Sequence, residues 1–112
     1  MLEPFFVRTV VKNEKILKRV DPMQVAGLAT VKNYTKIILL DDTAYMVRMS
    51  LANALKKFPP DMFVKIDRAV VVSKYAIDHI ARNHLIISGN PTEVTIAKSY
   101  YKYVVAGINI IE

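Results

Sequence analysis

The chain contains no cysteine and no tryptophan, has only three glycines, and carries no apolar run of membrane-spanning length. Without cysteine there are no disulfides, thiolate metal sites or cysteine nucleophiles. The three glycines, Gly27, Gly89 and Gly107, lie too far apart to build a phosphate-cradling loop. Apolar stretches such as residues 37–40 and 70–72 fall far short of the roughly 18 residues that read as a membrane span, and the N-terminus lacks a signal-peptide layout. A cytoplasmic protein with no membrane partner is expected. Acid is also scarce relative to base, with 10 Asp plus Glu against 16 Lys plus Arg, a formal net charge of +6.

What is present points to one globular unit over residues 1–112. The length suits a single core, and 53% of the residues are apolar. The basic excess invites a polyanionic partner, and its distribution says more than its total. Residues 30–40 hold Lys32 and Lys36 with no acid. Residues 43–60 hold Arg48, Lys56 and Lys57 likewise, and residues 94–111 hold Lys98 and Lys102. The acids gather at expected turns, as at Asp41-Asp42, where they remain solvated.

Pattern predicts a mainly β chain with two short helices. Residues 5–11 and 16–20 are β-branched and aromatic around Asn13-Glu14, an opening hairpin. Pro22 interrupts, residues 23–30 and 36–40 form strands, and Asp41-Asp42-Thr43 turns the chain into residues 44–48, a meander. Ser50 is an N-cap ahead of Leu51, Ala54, Leu55 and Phe58 at helical spacing, and Pro59-Pro60 stops that helix. Strands then flank Lys65, Asp67 and Arg68, with Phe63, Val64 and Ile66 before and Val70, Val71 and Val72 after, so a charged cluster is mounted on sheet. Residues 75–81 and 85–88 are strands joined near Arg82-Asn83. Gly89-Asn90-Pro91 turns into a strand at residues 93–97, and residues 98–105 suit a closing helix.

No catalytic, metal or cofactor site emerges. His79 and His84 lack the carboxylate or cysteine companions of a metal centre. Adjacent Asp41 and Asp42 point apart on extended chain, and Ser50 and Ser73 have no activating base nearby in sequence. A binding module without a small-molecule substrate is the expectation. Two segments share a different grammar, Lys32-Asn33-Tyr34-Thr35-Lys36 and Lys98-Ser99-Tyr100-Tyr101-Lys102, in which phosphate-neutralising lysines alternate with hydroxyl and amide groups that hydrogen-bond phosphates or base edges. The plainer reading of each residue alone is a half-buried tyrosine and a solvated lysine.

Together with residues 65–73, these segments occur in the order and spacing of a known family. The chain resembles a LytTR DNA-binding domain, the output module of LytR, AlgR and AgrA type response regulators, over residues 5–105. The likeness takes in Asn33-Tyr34 before a strand, Val47-Arg48-Met49-Ser50-Leu51 leading into the short helix, Phe58-Pro59, Phe63-Val64-Lys65-Ile66 before Arg68, and the basic, tyrosine-containing segment opening the last helix. It implies an elongated arrangement of small antiparallel sheets whose loops enter successive major grooves of duplex DNA. It also implies a two-component transcriptional regulator's effector domain, acting on promoter repeats as a homodimer.

Carried over by position, the implied DNA contacts are Lys32, Asn33, Tyr34, Lys36, Lys65, Asp67, Arg68, Lys98, Tyr101 and Lys102, with Lys98 at the start of the final helix. Arg68 has the planar fork that pairs bidentately with guanine, Asn33 matches adenine, and Asp67 accepts from a cytosine amine. Lys36, Lys65, Lys98 and Lys102 suit phosphates. Asp67 stands where the family often has histidine, and Lys98 where it often has arginine. The receiver domain that usually precedes this module lies outside these 112 residues. A rival reading is a protein-interaction module of the same fold that has lost DNA readout, docking a partner through Leu2, Phe5 and Phe6. A third is an RNA binder that stacks bases on Tyr34, Tyr100 and Tyr101.

Overall fold

The computed structural model describes residues 3–89 and 92–112. Strands dominate, in three antiparallel sheets, with two short helices. The opening hairpin pairs β1 (Phe5–Val11) with β2 (Glu14–Val20) in unbroken register, and its Lys12-Asn13 turn has positive φ at both residues. A 3-10 turn at Pro22–Gln24 follows, where Asp21 accepts from the Met23 N–H. It delays β3 (Val25–Val31), which the sequence places from residue 23.

β3 hairpins with β4 (Tyr34–Leu39), which hairpins with β5 (Ala44–Val47). In the turn between the last two, the Thr43 hydroxyl and N–H both donate to Asp41, which holds that carboxyl below its ordinary range. The meander stops there. β6 (Phe63–Asp67) and β7 (Val70–Ser73) return to the same sheet on the far side of β3, giving the order β5-β4-β3-β7-β6. A third sheet holds β8 (Ile77–Ile80), β9 (His84–Ile87) and β10 (Thr92–Thr95). A second 3-10 turn, Lys74–Ala76, takes residues that the sequence assigns to a strand from 75. Asn90 and Pro91 of the expected turn, and Leu2, lie outside the described residues.

Ser50 caps α1 (Leu51–Leu55) as expected, accepting from the Asn53 N–H. The last helix, α2, spans Tyr101–Ala106, so it opens three residues later than the sequence suggests. Its start is set by tertiary bonds. The Ala97 N–H donates to the Ile66 carbonyl of β6, and the Tyr100 N–H folds back onto the Ala97 carbonyl, so residues 98–100 turn before the helix can begin.

Opposed residues of paired strands share a face, so the register explains why both faces of the five-stranded sheet are apolar. Leu28 lies opposite both Ile37 and Val71 on one face, which Val7 and Val20 of the hairpin and Ala54 and Phe58 of the α1 segment cover. Phe58 stands edge-on to Phe5 and Phe63 at 5.0 and 5.1 Å, joining hairpin, helix segment and β6. On the other face Val64 and Val72 meet Leu85, Ile87, Ile96 and Val104 from the third sheet and α2. The central strands come very close at Gly27, where a Cβ would lie 2.7 Å from the Val71 carbonyl oxygen.

Candidate nucleic-acid interface

Antiparallel pairing brings two turns to one end of the five-stranded sheet. β3 rises into the Lys32-Asn33 turn, β6 rises into the Arg68-Ala69 turn, and β3 and β7 lie side by side from Gly27↔Val72 to Ala29↔Val70. The Thr30 N–H then donates to the Ala69 carbonyl at 2.8 Å, tying one turn to the other. Lys32 adopts φ 54°, a left-handed conformation uncommon for a residue with a side chain. Asn33 and Arg68 are exposed beside it.

Two further segments extend this row. Thr35 pairs with Val47, so the exposed Arg48 emerges from β5 beside the Tyr34 end of β4, and the Thr35 hydroxyl donates to the Met49 carbonyl at 2.9 Å to fix that exit. At the opposite edge the Ala97 N–H donates to the Ile66 carbonyl, which brings the chain alongside β6 next to Asp67, and the exposed Lys98 follows at once in the turn. Six neighbouring segments at about 4.8 Å each give a row of roughly 24 Å from Arg48 to Lys98. That length crosses a major groove about 12 Å wide and reaches backbone on both sides.

Other sequence-derived candidates sit behind this row. Tyr34 and Lys36 alternate with the buried Thr35 and Ile37, so both face solvent, with Lys36 one strand pitch back from the tip. Lys65 is likewise exposed two residues below Asp67 on edge strand β6. Lys98 precedes α2 instead of opening it. Lys102 lies in the first turn of α2, its ammonium 5.3 Å from the Tyr103 ring. Tyr101 is half-buried against the second core.

Asp67 serves the fold as well as any ligand. Its Oδ1 accepts from the Ala69 N–H at 3.0 Å, a side-chain closure of the turn that carries Arg68. The sequence reading of this carboxylate as a base contact missed that structural bond. It also missed two cations. Arg48 is one. Arg82 is the other, on the β8–β9 turn, where the Asn33-like logic of a polar tip in Arg82-Asn83 was the available signal. The Ile96 N–H donates to the Asn83 carbonyl, linking that turn to the residues beside β6, and the Arg82 guanidinium lies 5.2 Å from the Tyr101 ring centroid.

Electrostatics favour an anion along this end. Among the described residues no Lys or Arg forms an ion pair; the single pair joins His79 to Asp78 at 2.6 Å, both well exposed. Arg48, Lys32, Arg68 and Lys98 therefore keep their charge uncompensated, with Asp67 the one carboxylate among them. No group of three or more metal-binding side chains occurs among the described residues, and no helix there is long and apolar enough to cross a membrane.

Comparison with known proteins agrees with this fold. The solved LytTr DNA-binding domain of a methyl-accepting/DNA response regulator from Bacillus cereus superposes with a TM-score of 0.69 at 20% identity, covering 92% of this chain and 95% of that one. No curated protein matches the sequence. The profile of the LytTr DNA-binding domain matches residues 15–109, nearly all of the chain. A mostly β fold of three small antiparallel sheets and two short helices is thus accounted for: the chain belongs to the LytTR family of DNA-binding domains.

Proposed function

We propose that this domain reads a specific duplex DNA sequence as the effector module of a bacterial-type transcriptional regulator in the cytoplasm. The observation that carries the reading is the Thr30–Ala69 hydrogen bond, which holds the Lys32-Asn33 and Arg68 tips at a fixed separation on paired strands. Side chains aimed from rigid sheet keep their geometry against base edges, which direct readout demands. Arg68 reads guanine and Asn33 reads adenine, while Lys32, Lys36, Lys65, Lys98 and Lys102 engage phosphates. Asp67 positions Arg68 through its turn. Tyr34 packs on the backbone beside Lys36, and Tyr101 acts through Arg82, which it holds from below by a cation–π contact.

The whole chain is one unit in this proposal, since β1 lies ahead of the matched residues yet pairs with β2 along its full length. Binding to paired promoter repeats as a homodimer follows the family pattern, and regulation through a receiver domain is the corresponding context. The solved relative's description as part of a response regulator supports that context. No cofactor or small-molecule substrate enters the mechanism. The interaction-module rival draws its case from Asp67 as a stray acid, but that carboxylate has a bond within its own turn. The RNA reading loses support because Tyr100 and Tyr101 pack against the core.

Selection from a randomised duplex library should enrich a motif, with repeats spaced by about one helical turn. Weak, steeply salt-dependent binding without enrichment would overturn sequence-specific readout. Phosphate contacts have their own signature. Lys98→Ala should weaken the selected and a scrambled duplex alike and reduce the salt slope by about 1. Arg82→Ala should do the same, and titration of salt on both duplexes separates these outcomes from a change in base preference.

A further inference from the structure

The outward face of the β1–β2 hairpin carries three exposed apolar side chains that the DNA row does not use: Phe6, Val10 and Leu17, at 58%, 60% and 56% exposure. Register makes this face orderly. The hairpin's inner face sends Val7 and Val20 into the core, so Phe6, Arg8 and Val10 of β1 share the outer face with Arg19, Leu17 and Lys15 of β2. Each cross-strand pair there joins one apolar residue to one cation: Phe6↔Arg19, Arg8↔Leu17 and Val10↔Lys15. The apolar residues therefore zigzag across the ribbon from Phe6 to Leu17 to Val10 and the cations fill the alternate places, with diagonal neighbours about 7 to 8 Å apart. A shallow hollow at this part of the ribbon is lined by Arg8, Val10, Lys15 and Leu17 together with Thr9 and Ile16.

We propose that this hairpin face docks an acidic polypeptide segment that also carries apolar side chains. Carboxylates would pair with Arg8, Lys15 and Arg19, and apolar groups would cover Phe6, Val10 and Leu17. Charge decides among occupants. A second copy of the face would set Arg8, Lys15 and Arg19 against themselves, and Lys12 and Lys18 on the same hairpin add to that repulsion against a single hairpin acid, Glu14. A lipid surface favours an apolar face segregated from its cations, and here the two alternate residue by residue. Duplex DNA satisfies the cations and leaves the apolar residues in water. A partner bearing both chemistries satisfies both sets.

The test uses fluorescently labelled random copolymers of glutamate and tyrosine, with polyglutamate, phosphatidylglycerol vesicles and scrambled duplex DNA as competing probes. The 112-residue chain should bind the glutamate–tyrosine copolymer at least tenfold more tightly than polyglutamate of equal charge. F6S/L17S should remove that preference and R8E/R19E should weaken both polymers, while each variant keeps its thermal unfolding midpoint and its affinity for the selected duplex. Equal binding of the two polymers, or no response to either variant, would overturn the proposal. So would a preference for vesicles, which would make the face a membrane contact, or full competition by scrambled duplex, which would make it a second DNA surface. Because duplex affinity is read in parallel, failure here is distinguishable from failure of the DNA-binding reading.

Discussion

Arg68→Ala should flatten the base preference at one operator position by roughly ten- to hundredfold, the equivalent of about 1 to 3 kcal/mol for a bidentate arginine–guanine pair. The expectation rests on how the residue is held. Arg68 occupies the turn between β6 and β7, whose closure by Asp67 and whose bond to Thr30 leave little backbone freedom. None of the bonds that close the turn involves its side chain, so removing the guanidinium subtracts discrimination without relaxing the loop. Competition among duplexes carrying each single-base change measures the effect position by position. Affinity for scrambled DNA should fall much less, because only one of many cations has gone. An equal loss on every duplex would instead make Arg68 a phosphate contact. Arg68→Lys keeps the charge but not the fork, and should resemble the alanine variant in preference while restoring non-specific affinity.

The second large effect concerns a residue that touches no DNA. Gly27→Ala would put a methyl group 2.7 Å from the Val71 carbonyl oxygen, a contact shorter than any unstrained Cβ makes. That oxygen belongs to the backbone of β7 and cannot swing aside, so β3 and β7 must part or shear. Overpacking of this kind costs about 1 to 3 kcal/mol. For a chain of this size it should lower the thermal midpoint by several degrees, read by circular dichroism. The same displacement acts on the proposed function, because the β3–β7 pairing carries the two turns assigned to base readout. Selected-duplex affinity should therefore fall more than scrambled-duplex affinity, even at temperatures where the variant is fully folded. Val20→Ala, buried in the hairpin and outside the β3–β7 pairing, serves as the control for lost stability and should leave the ratio of the two affinities unchanged.

Much of this architecture is written locally in the chain. The strands around Arg68 follow from β-branched runs on either side of a polar pair, and α1 follows from Ser50, the spacing of Leu51, Ala54 and Leu55, and the prolines behind it. The departures arise where distant residues decide. Tyr75 has every local reason to be in a strand, yet the chain turns there so that Ala76 can enter the second core. Lys98 and Ser99 look like a helix start, but the bond from Ala97 to Ile66 ties the chain to β6 just before them, and the bond from Tyr100 back to Ala97 spends these residues on a turn. Strand order was not legible either. A meander is the economical connection for β3, β4 and β5, and nothing in residues 63–73 announces that they will insert against the other side of β3.

The site shows the same division. Lys32, Asn33 and Arg68 were legible as polar tips between apolar runs, and the resemblance to LytTR domains set them in one surface. Arg48 and Arg82 were not, because each reaches its place only through the pairing of its strand with another. Asp67 was legible as a charge but not as a turn closure, since the Ala69 N–H becomes available to it only when β6 and β7 are already paired.

The scarcity of ion pairs sets folding and binding against each other as ionic strength changes. With no Lys or Arg paired among the described residues, the free domain bears its net charge as mutual repulsion, which added salt screens. The folded state is thus eased by the very condition that strips it from DNA, where each neutralised phosphate makes binding weaker as salt rises. At low ionic strength the duplex takes over the role of salt, supplying the counter-charge the domain lacks and stabilising it by mass action. For this domain duplex DNA is a missing half of the charge balance as well as a binding partner.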